Sequence, residues 1–171
     1  MKTLFTLFFL TIRLISYSQN LTLEELLALR KKDLPTAEEY LTMKKWQFIS
    51  SSNQNNVFYK GSFAYNKNSF DDSAESFISL YTSEQPKRNR LDIQIHKTEK
   101  YNSYITRIKE LGCKLIDSKI EYDEIKKIYQ GATTTFIITT STVEDEVYTA
   151  TSTVYHIFIL ENVEYELYFT E

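Results

Sequence analysis

The chain has 171 residues, a net charge of −3 and one cysteine, with 13 Tyr and 11 Phe against only 3 Gly and 2 Pro. That length suits a single domain with a sizeable core, and the acidic balance gives no basic footprint for nucleic acid. A lone cysteine, Cys113, excludes an intrachain disulfide.

Residues 1–18 read as a secretory signal peptide. Lys2 gives a short positive start, Leu4 to Ile12 an apolar run, and Ser16-Tyr17-Ser18 a small-x-small cleavage site ahead of Gln19. The run is shorter than the roughly 20 residues of a spanning helix, so no stable membrane span is expected after cleavage. Asn20-Leu21-Thr22 matches a glycosylation acceptor at the mature terminus. Residues 19–171 are expected to form one α+β domain.

Two short helices come first. Thr22 to Glu25 and Thr36 to Glu39 both fit the Ser/Thr-x-x-Glu capping box. Asp33-Leu34-Pro35 separates them, because a residue before proline is disfavoured in helical conformation. From Trp46 the period changes. Trp46–Ile49, Val57–Tyr65, Ala74–Ser83 and Leu91–His96 read as strands, with Ser50–Asn56, Asn66–Asp72 and Pro86–Asn89 as turns or loops.

Tyr101, Tyr104, Ile105, Ile108 and Leu111 recur at helical spacing and predict a central amphipathic helix, with Gly112 placed to end it in a left-handed conformation. A helix this short needs a surface to pack on, and a sheet is the one on offer. Further strands are predicted at Cys113–Tyr122, Ile125–Gln130 and Thr133–Thr142. Tyr148–Leu160 and Val163–Phe169 follow as a final hairpin. The fold class predicted is an antiparallel sheet with helices on one face.

The halves 36–97 and 99–171 echo each other. At an offset of 67, Leu41, Trp46, Phe48, Ile49 and Ser51 meet Ile108, Cys113, Leu115, Ile116 and Ser118; at 70, Tyr59 and Gly61 meet Tyr129 and Gly131. The pattern suggests a duplicated α-β-β-β-β unit. In it, Tyr59 and Tyr129 occupy matching strand positions as candidate ligand or partner contacts. The two glycines leave room for a neighbouring strand's aromatic ring.

Chemistry-bearing motifs are sparse. Cys113 lies at a core position and reads as an inert thiol. His96 and His156 fall in separate strands as ordinary strand residues, and no Cys/His/Asp set has zinc spacing. Glu144-Asp145-Glu146 reads as a charged turn, and Lys87-Arg88-Asn89-Arg90 as a solvated basic loop. Thr133, Thr135, Thr139, Thr149, Thr151 and Thr153 read as a solvated sheet surface with cross-strand pairs. There is no phosphate loop, nucleophile elbow or other cofactor motif.

The leader ending Ser-Tyr-Ser-Gln19, the segments Leu21 to Leu27 and Glu38 to Phe48, and Ile128-Tyr-Gln-Gly131 together resemble small uncharacterised exported proteins of Bacteroidota-type Gram-negative bacteria. The resemblance implies the periplasm or the cell surface and carries no activity. Three functional readings follow from the residues. The first is a non-catalytic binding or protein-interaction module of the cell envelope. The second is a carrier of a small apolar ligand in an aromatic-lined cavity. The third is a hydrolase whose paired carboxylates meet only in space.

Overall fold

The computed structural model describes residues 21–54, 58–70, 72–83, 88–144 and 151–170. The predicted leader and its cleavage site lie outside them, as do Asn20, Lys87 and most of the acidic turn after Glu144.

Helices α1 (Leu23–Arg30) and α2 (Leu34–Met43) lead into strands β1 (Trp46–Gln54), β2 (Phe58–Tyr65), β3 (Ser76–Thr82) and β4 (Arg90–Ile95). Helix α3 (Thr98–Glu110) then leads into β5 (Lys114–Glu121), β6 (Glu124–Gln130), β7 (Thr134–Glu144) and β8 (Thr151–Glu161), and α4 (Asn162–Tyr168) is the last described element. The eight strands among the described residues form one antiparallel sheet in the order β1-β2-β3-β4-β8-β7-β6-β5. The fold is α+β, as the sequence predicts.

Local chemistry sets the helix ends. Thr22 and Glu25 form the predicted reciprocal capping box of α1. The second helix starts three residues earlier than expected. Asp33 caps it by accepting from the Thr36 amide at 2.8 Å, and Pro35 sits in the first turn, where its missing N–H costs nothing. Leu34, expected outside the helix, is therefore inside it.

Helix α3 ends in a Schellman arrangement: Gly112, at φ 79°, donates to Lys109, and the Cys113 amide donates to Ile108. Lys45, one residue past the cap of α2, has φ 66° and donates to Thr42.

The core lies between the sheet and α1–α3. Leu23, Leu26, Leu29, Leu41, Tyr104 and Ile108 pack on Phe63, Ile78, Leu91, Ile93, Ile157 and Ile159, all buried. The helices are also tied to each other by polar contacts. Glu25 accepts from Tyr40 and Lys44, each at 2.8 Å, and burial together with that carboxylate pushes the Tyr40 phenol up to about 12. Tyr104 and Lys100 both donate to the Leu21 carbonyl, and Tyr101 stacks on Tyr155 with 4.1 Å between ring centroids. Leu111, predicted on the stripe, is exposed at the helix end.

Two segments depart from the expected elements. The serine-rich run is not a turn: Ser50 to Gln54 pair with Ser62 to Phe58 and lengthen β1. The predicted last strand, Val163–Phe169, is mostly α4. Val163, Tyr165, Leu167 and Phe169 alternate in sequence, but Tyr165 and Phe169 meet one turn apart on the helix, 6.3 Å between centroids. The Asn162 side chain anchors the first turn of this helix to the sheet by donating to the Gly131 carbonyl and accepting from the Thr135 hydroxyl. Helix α4 packs with Ile128, Ile137, Phe158 and Leu160 on the face opposite α1–α3. One helix is thus on the second face, and Thr135, expected on a solvated surface, is buried beneath it.

The two sets of strands share ladder details. Phe48 and Leu115, 67 apart, each immediately precede a register shift, and they pair with Phe63 and Tyr129. Following the ladders inward, Ile78 corresponds to Phe136, and Ile93 to Ile159. At the centre, Leu91 pairs with Ile159 and Ile93 with Ile157. Corresponding residues therefore exchange places about the Asp92–Phe158 pair.

Candidate functional site

Tyr59 and Tyr129 do not occupy matching positions. Both lie in the second strand of their sets, but the register matches Tyr129 with Phe63 and Tyr59 with Ile125. Tyr129, 6% exposed, is packed in the core, whereas Tyr59 is 48% exposed. The offset of 70 misaligned them by four residues, because strand-rich segments of similar composition match at several shifts.

The glycines also make room for something other than a strand aromatic. A Cβ on Gly61 would stand 2.2 Å from Leu34 Cδ1, and one on Gly131 would stand 2.8 Å from Cys113 Sγ. Their occupants are a helix leucine and the half-buried thiol, whose pKa burial pushes upward.

Tyr59 lines an open cleft of about 620 Å³ with Leu34, Pro35, Ser51, Asn53 and Asn89. Its lining mixes hydroxyl and amide groups with apolar carbons. Its carboxylate, Asp33, caps α2. The cleft is thus neither an aromatic-lined apolar cavity nor a pair of opposed acids.

On the opposite face, His156 stands 3.3 Å from Asp92. The hydrogen bond that His156 donates to the Asp92 carboxylate raises the His156 pKa against the opposing effect of burial, while burial and the neighbouring His156 lower that of His96. The two histidines, expected to be unrelated, are therefore neighbours. Sequence distance hid this, because β4 and β8 meet only at the sheet centre. Among the described residues, no group of three or more His, Cys, Asp or Glu could hold a metal ion.

The hairpin β5–β6 departs from ordinary burial. Its two-residue loop, Tyr122-Asp123, has φ of 53° and 62°, the pattern of a tight type I′ turn. Strand β5 lies at the sheet edge with β6 as its neighbour, and its residues Lys114 to Ile120 are all exposed. Leu115, Ile116 and Ile125 are exposed, and Ile120 and Tyr122 reach 79% and 93% exposure. The buried face stops at Tyr129; Leu115, paired with it, is already half in water.

Sequence reasoning missed this feature because strand alternation does not reveal which strand lies at an edge. Charges interrupt the apolar run: Lys114, Asp117, Lys119 and Glu121. Lys119 and Lys126 both approach Glu121, at 3.3 and 3.7 Å. Comparison with family models, curated proteins and solved structures returned no match. None of the described helices is long and apolar enough to cross a membrane.

Proposed function

We propose that this chain is a non-catalytic binding module of the cell envelope, exported by its leader, which meets a partner through the β5–β6 hairpin. The observation that carries the reading is the row of exposed apolar side chains on an edge strand: Leu115, Ile116 and Ile120, with Tyr122 at the tip. Exposed apolar residues scattered singly are ordinary, but several gathered on one hairpin favour a contact site. An edge strand also offers unpaired backbone groups to which an extended segment can add.

The resemblance to small exported proteins of Bacteroidota-type bacteria supports the envelope setting. The internal duplication belongs to the same proposal. It is supported by the Lys45 and Gly112 conformations, by the register shifts after Phe48 and Leu115, and by the exchange of Leu91 and Ile93 with Ile157 and Ile159.

Capture from envelope extract on the immobilised chain tests the reading. A species should be retained by the native chain and by Tyr59→Ala, and lost with Ile120→Lys. Equal capture by Ile120→Lys and the native chain would count against the hairpin as the contact.

A further inference from the structure

We infer that the partner of the β5 edge is a second copy of this chain, joined by antiparallel β5–β5 pairing about Ser118. The inference rests on the reading of the hairpin as a contact site and names its occupant.

The backbone comes first. A two-residue type I′ loop closes on the Glu121–Glu124 pair, so Glu121, Lys119 and Asp117 direct their N–H and C=O groups toward β6. Ser118 and Ile120 then direct theirs outward, away from the sheet. An antiparallel partner centred on Ser118 exchanges both hydrogen bonds between the two Ser118 residues. Ile120 comes opposite Ile116 of the copy, the residue that the register shift in β5 leaves without a partner in β6. Residues opposite one another share a face, so the pairing keeps each sheet face continuous.

Charge then selects this register over its neighbours. Centring on Ser118 sets Asp117 opposite Lys119 of the copy, and the two-fold axis makes that pair twice. Centring on Asp117 would oppose two aspartates, and centring on Lys119 would oppose two lysines. Centring on Ile120 runs into the turn at Tyr122 after one residue on either side. A lysine on an edge strand ordinarily keeps edges apart. Here Asp117, on the same face two residues away, converts that repulsion into complementarity with an identical strand. The apolar residues suit the same geometry: Ile120, largely in water in one copy, is brought toward Ile116 of the other, which is half in water at the β5 register shift. The opposite edge, β1, carries only uncharged polar residues from Ser50 to Gln54 and encodes no such self-match.

Sedimentation of the chain as its own cells process it tests the inference. The native protein should show a concentration-dependent monomer–dimer equilibrium. Lys119→Asp places aspartates on both sides of each pair and should weaken association by roughly tenfold or more. Asp117→Lys should do the same. The double exchange Asp117→Lys with Lys119→Asp restores opposite charges and should return the dimer, which no local effect on folding would do. Ser118→Pro removes the outward N–H without removing a bond to β6 and should also dissociate it.

A dimer indifferent to both single reversals overturns the inference. A monomer whose capture of an envelope species is lost with Ile120→Lys overturns the second copy but leaves the contact site standing. A monomer that loses no species with Ile120→Lys overturns both.

Discussion

Lys45 and Gly112 hold the same left-handed backbone conformation, at φ 66° and 79°, each one residue past the cap of a helix that feeds an edge strand. A lysine there carries a steric cost that glycine avoids. Lys45→Gly should therefore stabilise the fold by about 0.5–1 kcal/mol, and Gly112→Ala should destabilise it by about 1 kcal/mol. Urea unfolding checks both, and a destabilising Lys45→Gly would count against strain at that position.

The fit of Leu34 against Gly61 gives a coupled prediction. Gly61→Ala forces the leucine tip aside and should cost about 1–3 kcal/mol, the range for overpacking. In the background of Leu34→Ala the same change should cost much less, because the clashing atoms are gone. Additive effects in the double-mutant cycle would show that Leu34 is not what occupies the space.

Ile108 and its neighbour Arg107 separate the buried side of α3 from its wet side. Ile108→Ala should destabilise by roughly 2–5 kcal/mol, as for other buried aliphatic truncations. Arg107 pairs with Glu24 and Glu110 at the surface, and Arg107→Ala should have a much smaller effect. Equal losses would place the helix stripe wrongly.

The Asp92–His156 pair predicts a pH dependence of defined sign. The folded pKa of His156 is raised above the ordinary 6.5, so the pair's stabilisation is fully present below that value and fades as pH rises through the folded pKa. His96 has the opposite sign: it folds more readily neutral, and its contribution is lost as pH falls below 6.5. Asp92→Asn should therefore show its largest stability deficit at the acid end of a pH 5.5 to 8.5 series and converge on the native protein at the alkaline end. A deficit that grew with pH would contradict the pairing.

Much of this fold was legible because its signals are local. Thr22 with Glu25, the stripe from Tyr101 to Ile108 and Gly112 each act within a few residues, and all three fall where their chemistry requires. The failures have a common cause in tertiary context. Ser50 to Gln54 look like a turn until β2 supplies partners, and Val163 to Phe169 look like a strand until α4 finds Ile128, Ile137 and Leu160 beneath it. The same limit hid the exposed apolar residues of the β5–β6 hairpin. Nothing in the residues from Lys114 to Glu121 says that β5 is an edge, and the aromatic identity of Tyr129 is visible in a sequence whereas its burial and the exposure of Ile120 are not.

The central claim is that the outer edge of β5 is covered in the working protein, and amide hydrogen exchange resolved at single residues tests it most directly. In concentrated protein, the outward amides of Ser118 and Ile120 should be protected, and on dilution they should exchange as freely as an edge strand allows, while Asp117 and Lys119 stay protected by β6 throughout. Rapid exchange at Ser118 and Ile120 at every concentration, and in the presence of envelope extract as well, would contradict it.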